Sequence, residues 1–271
     1  MTKFDMGAAW DDSMTLLRSH SALTGTIAAV FFFLPALALS WFGPAPIEPA
    51  SGASLEQVMT AYREGVRQII PYQLLVSLVG AVGGVGVLRL WLARTGTSVG
   101  DALVFALKMA PTMIAVQIIM AIAIALIALV LVMPGFAAGG GVGILLVFVG
   151  LLLFAGVTAY LWARLSTAAP VIADRALYNP VAALRQSWAL TRDNGWRIFL
   201  FFFLIFVVIL IVSAILGAIS YAIFGSGEGI GRILSGLVEG GVAAVSGLVS
   251  LAITAAIYRQ LSTRGNEGIF A

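Results

Sequence analysis

Five stretches of this chain contain no charged residue: 21–43, 68–88, 109–163, 198–224 and 240–258. One helical crossing of a bilayer takes about 20 apolar residues. Four of the stretches are therefore long enough to cross once, and 109–163 is long enough to cross twice. The segment MPGFAAGGGVG (133–143) divides that longest run with Pro and clustered Gly, as a short loop does. The pattern predicts an all-α membrane protein, one integral membrane domain over residues 1–271. Its six transmembrane helices are expected at about 21–43, 70–93, 111–133, 143–163, 197–223 and 238–259. A membrane β-barrel would need alternating segments of about ten residues, and the chain has none. Composition agrees: 61% of residues are hydrophobic and 10% charged, against roughly 25% charged in a soluble domain.

The chain has no Cys, so disulfides, thiolate metal sites and Cys nucleophiles drop out together. Ala36-Leu37-Ala38 resembles a signal-cleavage site. The region before it, however, carries Asp5, Asp11 and Asp12 against Lys3 and Arg18, where a leader peptide would open with a short positive segment. The first apolar run is therefore expected to stay in place as a span.

Six spans put both termini on one side. That side holds twelve basic residues: Lys3, Arg18, Arg89, Arg94, Lys108, Arg164, Arg175, Arg185, Arg192, Arg197, Arg259 and Arg264. The other side holds Arg63, Arg67 and Arg232. The positive-inside bias makes the first side cytoplasmic. Trp91, Trp162, Trp196 and Tyr258 fall at inner span ends and Trp41, Tyr72 and Tyr221 at outer ones, as interfacial aromatic belts do. The basic residues follow topology rather than forming one patch, so no nucleic-acid partner is expected. In the outer connection, GPAPIEPASGAS reads as irregular. Ser54 with Gln57 three residues on then opens a short helix near the outer surface.

Each odd-numbered span is preceded by a short amphipathic segment. These are FDMGAAWDDSMTLLRSH, TSVGDALVFALKMAP and YNPVAALRQSWALTRDNG, giving expected cytoplasmic interfacial helices at about 5–18, 98–109 and 180–193. Ser98 with Asp101 forms a capping pattern, and Asn179 followed by Pro180 starts the third helix. Gly195 is placed to end that helix. Met6, Trp10, Met14 and Leu17 form the first apolar stripe; Val99, Leu103, Ala106 and Leu107 form the second. Val181, Leu184, Trp188 and Thr191 form the third, with Arg185, Arg192 and Asp193 placed away from it. The first and third segments share Ala9, Ser13 and Arg18 against Ala183, Ser187 and Arg192. We expect three copies of one unit, an interfacial helix followed by a membrane hairpin; internal repeats are common in membrane proteins.

Two segments carry a family resemblance. FDMGAAWDDSMTLLR leading to the span with Pro35, and RLSTAAPVIADRALYNPVAALRQSWALTRDNGWRIF (164–199), resemble bacterial membrane proteins related to the membrane domain of glycerophosphoryl diester phosphodiesterase. The shared pattern is a basic residue, a small apolar stretch, an acidic residue, N/S-P and an A-x-x-x-S helix. In the enzymes named for that domain, a separate soluble domain carries the chemistry. The chain's last residue, Ala271, lies close after the sixth span, so the resemblance implies a stand-alone membrane domain of the bacterial cytoplasmic (inner) membrane, without phosphodiesterase activity.

The residues themselves supply no catalytic set. His20 is the single histidine, and one ligand cannot close a metal site. Ser13 and Ser187 lack a neighbouring base for nucleophilic work. No phosphate-cradling glycine loop is present. No catalytic residue, metal or cofactor is therefore expected. Arg89 lies just inside a span end and can snorkel to the interface; Glu239 sits at the outer start of the sixth span. Gly80 with Gly84, and Gly240 with Ala244, give small-xxx-small spacing for close helix packing within the bundle or between copies. Arg164, Arg175, Arg185, Arg192 and Arg197 are the candidate lipid-headgroup set, since Arg suits phosphate.

The function these features imply is non-enzymatic binding or organisation of anionic phospholipid at the cytoplasmic leaflet, in envelope or lipid homeostasis. The partners are membrane lipids, with a homo-oligomer or a membrane-protein partner also open. Two alternatives stand beside it. One is a small-solute or lipid-precursor transporter, which needs a cavity among the spans. The other is a scaffold subunit of a hetero-complex, which would use the glycine faces.

Overall fold

The computed structural model describes residues 3–19, 21–44, 47, 52–93, 97–225 and 229–267, with backbone alone at Leu55 and 263–267. His20, Arg94, part of the outer loop and the side chain of Arg264 lie outside these residues. The described chain is helical, with no strand, and six of its helices are long and apolar enough to cross a membrane.

Helix α1 (Met6–Ser19) precedes the first span. That span comprises α2 (Ser21–Ala28), a π-helical turn (Ala29–Phe33) and α3 (Leu34–Phe42). The π turn has an identifiable cause. Pro35, in the first turn of α3, has no N–H to give and crowds the carbonyl four residues back, so the helix widens by one residue just before it. Helices α4 (Leu55–Leu92), α5 (Val99–Leu131), α6 (Met133–Ala138) and α7 (Gly140–Leu165) follow. Next come the short α8 (Ala168–Arg175) and α9 (Pro180–Leu190), then the fifth and sixth spans, α10 (Gly195–Phe224) and α11 (Ile230–Glu267).

Local capping sets several of these starts. Ser54 and Gln57 cap each other reciprocally. The Ser98 hydroxyl accepts from the Asp101 amide, and the Asn179 carboxamide accepts from the Ala182 amide. Each cap supplies an acceptor to an N–H that has no partner within its helix.

Two sequence-based boundaries do not hold. The outer short helix is continuous with the second span in α4, and the segment 98–109 is continuous with the third span in α5. Pro71 and Pro111 stand inside these helices without ending them. A membrane helix can run on through a proline where neighbouring groups or a local change of helical pitch satisfy the freed carbonyl. With 38 residues, α4 is roughly 57 Å long at 1.5 Å per residue, far more than the ~30 Å hydrocarbon core needs. The expected loop at 133–143 contains the single turn α6. Gly139 and Gly140 follow it at φ +61 and +59, a left-handed pair that only glycine adopts freely.

Both termini belong to one end of the bundle. There Asp12 of α1 pairs with Arg259 of α11 at 3.1 Å, and the Phe4 amide donates to Asn194 at the start of α10. At the far end, Arg232 of α11 donates to the carbonyls of Ser40 and Gly43. The terminal end is also where the interior is. Buried Leu16, Ile27, Val85, Val87, Leu88, Ala102, Ala106, Met109, Ile172 and Ala252 form one cluster. Phe4, Ala9, Ala163, Ile198, Phe201, Ile253 and Ile257 form a second. Between residues 118 and 160 the buried residues are all glycines: Gly135, Gly143 and Gly150. There the backbones of α5, α6 and α7 meet directly; a Cβ on Gly143 would stand 2.7 Å from the Gly135 carbonyl.

Candidate functional site

Three arginines close the second, fourth and sixth spans at the terminal end, and none points to bulk water alone. Arg89 donates to the carbonyls of Ala173 (2.9 Å) and Asp174 (3.4 Å) at the end of α8, and lies 4.5 Å over the Phe105 ring in the first turns of α5. Arg164 reaches the end of α9. Its guanidinium donates to the carbonyls of Thr191 (2.9 Å), Arg192 (2.7 Å) and Trp188 (2.8 Å), and stacks 4.2 Å from the Trp188 ring. Arg259 pairs with Asp12 on α1. Helix C-termini carry partial negative charge and unsatisfied carbonyls, which is what a guanidinium fork matches.

The Arg164 contact is reciprocal. Its own carbonyl, left over at the end of α7, accepts from Ser187 (3.1 Å) and Thr191 (2.8 Å) of the α9 segment. Thr167 and Ser187 share a further hydrogen bond of 2.8 Å. Gly195 makes room for this clamp: a Cβ there would lie 2.7 Å from the Arg164 Cδ and 2.9 Å from the Tyr160 hydroxyl. Gly195 thus starts α10 beside Arg164 instead of ending the preceding helix, which closes at Leu190 through a turn.

The lead-in between the fourth span and α9 folds inward. In α8, Ala168, Pro170, Val171, Ile172 and Ala173 are all buried. Asp174 accepts from the Tyr258 hydroxyl at 2.6 Å, and Arg175 donates to Gln186 of α9 at 2.8 Å. Thr112 of α5 donates to the Tyr178 carbonyl, tying the α8–α9 connection to the third span.

The protein-facing side of the three segments before the odd spans is only partly the predicted apolar stripe: Leu17, Val99 and Leu184 pack against the core and Ala106 and Thr191 are buried. Buried are Ala9, Ser13 and Leu16 on α1, Ala102, Ala106 and Met109 on α5, and Ala183 and Ser187 on α9. Trp10, Leu107, Val181 and Trp188 are exposed. Small residues allow close helix approach, with Leu16 and Met109 the large side chains buried beside them, while Trp10, Leu107, Val181 and Trp188 face outward. The recurring four- and seven-residue spacing of small then large residues was the sequence signal for this face.

The five candidate arginines do not form one rim. Arg164 is 3% exposed and its two terminal nitrogens donate to carbonyls while its Nε is buried without a partner among the described residues, so its assignment to a headgroup set is corrected: a side chain that caps a buried helix end cannot also face a leaflet. Arg197 is half-buried and turned to the Phe4 carbonyl at 3.5 Å. Arg175, Arg185 and Arg192 are exposed. Arg185 stands one helical turn before Trp188 on α9, and Arg192 lies four residues after it, in the turn that follows Leu190. No carboxylate among the described residues pairs with Arg185 or Arg192.

Gly80 and Gly240 sit against the first span, and Gly84 against α11. Gly80 lies beside Phe32, Gly83 beside Phe31 and Gly240 beside Phe33, so the three phenylalanines of the π turn enter glycine hollows on α4 and α11. Gly84 faces Leu251, and Ala244 is half-buried. A groove of about 390 Å³ runs along α4, lined by Tyr62, Arg63, Val66, Arg67, Ile70 and Pro71, on one helix and not between spans. Among the described residues, no three His, Cys, Asp or Glu side chains come together to hold a metal. Glu239 is exposed near the start of α11. Comparison with protein-family models, curated proteins and solved structures finds no match to this chain.

Proposed function

We propose that this chain is a non-enzymatic protein of a bacterial cytoplasmic membrane that binds and organises anionic phospholipid at the cytoplasmic leaflet. In this reading both termini are cytoplasmic, and α1, the first turns of α5, and α9 lie at the inner interface. The observation that carries it is α9. Its small face is buried in the protein, while Arg185 and Trp188 on the helix and Arg192 in the turn after it remain exposed. Interfacial indole plus unneutralised guanidinium is the chemistry that meets an anionic headgroup layer.

The same reading includes a threefold internal repeat. Three observations support it: the matching buried faces of the three segments, an arginine closing each even span, and the partner of each arginine. Arg89 meets the segment of the second unit, Arg164 that of the third and Arg259 that of the first. Together these contacts run once around a ring.

The test is selective lipid retention. Purified protein is reconstituted in nanodiscs containing equal phosphatidylglycerol and phosphatidylcholine, then released and weighed intact by native mass spectrometry. Preferential retention of phosphatidylglycerol is expected. Equal retention of both lipids would sink the reading, and uptake of a radiolabelled solute into proteoliposomes would favour the transporter alternative.

A further inference from the structure

We infer that the headgroup site is a phosphate clamp at the C-terminal end of α9, formed by Arg185 on the helix and Arg192 in the turn after it, on either side of Trp188, with Arg164 beneath it as a positioning residue. This rests on the anionic-lipid reading above and specifies where and how the headgroup is held.

Several of the other cations are occupied, although Arg18, Arg63 and Lys108 are also exposed with no carboxylate among the described residues against them. Arg67 is beside Glu64, Arg259 beside Asp12, and Arg232, Arg89 and Arg164 donate to carbonyls. Arg185 and Arg192 are exposed with no carboxylate against them. Arg185 and Arg192 flank a single exposed indole, and with exposed Asp193 next to Arg192 the segment keeps a net positive charge. Guanidinium planes match phosphate oxygens in pairs.

The second observation is rigidity. Trp188 is 45% exposed on one side. Its other side is backed by the buried Arg164 guanidinium at 4.2 Å, which also holds the Trp188 carbonyl at 2.8 Å. The indole is therefore a fixed wall, and the backbone carrying Arg192 is fixed too, because the Arg192 carbonyl accepts from Arg164 at 2.7 Å. Preorganised groups bind with less loss of freedom than mobile ones. Arg164 itself never touches the ligand.

The experiment compares wild type, R185Q, R192Q, W188F and R164K in phosphatidylglycerol–phosphatidylcholine nanodiscs by native mass spectrometry. R63Q, on the far end of α4, is the charge-matched control. Each α9 arginine variant is expected to lose about tenfold in phosphatidylglycerol retention, the size of one charge-assisted contact, and R63Q none. R164K, which keeps the charge but loses the fork, is expected to retain less lipid while melting no more than a few degrees lower. A separate arm adds inorganic phosphate at rising concentration: release of the lipid would mean a free-phosphate site of the same chemistry, and persistence a lipid site. If wild type selects phosphatidylglycerol but R185Q and R192Q match it, the clamp is wrong while the lipid reading stands. If wild type itself shows no selection, the lipid reading fails first.

Discussion

Arg164 shows how a charge survives burial in this protein. A buried ion is costly unless it is paired and hydrogen-bonded. Here three carbonyls at the end of α9 take the place of a carboxylate. The same side chain thereby satisfies acceptors that the helix end leaves open. Replacing Arg164 with Ala removes donors from all three, and we expect a loss of about 3 kcal/mol in stability. G195A should act in the same direction, because its Cβ would displace the Arg164 side chain. Unfolding in mild detergent, followed by tryptophan fluorescence, reads both; an unchanged midpoint in both would remove the clamp from the account. The sequence marks Arg164 as basic and near a span end, but not which of its neighbours it meets. A leaflet-facing arginine and a capping arginine look alike until the partner, 24 to 28 residues away, is placed.

At the scale of the element, α8 is the segment that composition describes least well. It carries Asp174 and Arg175, yet five of its eight residues are buried. Its end is marked by Ala176 at φ +52, a left-handed residue that is normally glycine. An L side chain there is strained by about 1–2 kcal/mol, part of which the stiffer unfolded chain offsets. A176G is therefore expected to raise stability by up to about 1 kcal/mol. A detergent melt that moves down instead would show that Ala176 is held by its own contacts. Helix starts were legible, because a cap is a local event within four residues: Ser54, Ser98 and Asn179 all cap. The boundaries placed before the second and third spans were misjudged, since α4 and α5 run on through Pro71 and Pro111, which a membrane helix tolerates where neighbouring groups satisfy the freed carbonyl.

For the whole molecule, the terminal end holds both apolar clusters, and the far halves of the spans are more exposed, held by glycine contacts and by Arg232 and Trp41 bonds between α3 and α11. The absence of Cys makes orientation directly measurable. T60C, exposed on α4, is expected to react with a membrane-impermeant maleimide in intact cells. A8C, exposed on α1, is expected to react only after the inner membrane is opened. The reverse pattern would invert the topology and place the α9 stripe on the other leaflet. The sequence alone determined that this chain crosses a membrane, how many times, and that both termini share a side. Those properties follow from runs of residues too apolar for water, summed along the chain. Only the tertiary structure decided which face of α1, α5 and α9 meets protein and which arginines are occupied by carbonyls. It also decided that the phenylalanines of the first span fill glycine hollows in the second and sixth. Such pairings join residues far apart in sequence, and in lipid, where apolarity does not distinguish one partner from another, close shape fit and hydrogen bonding choose among them.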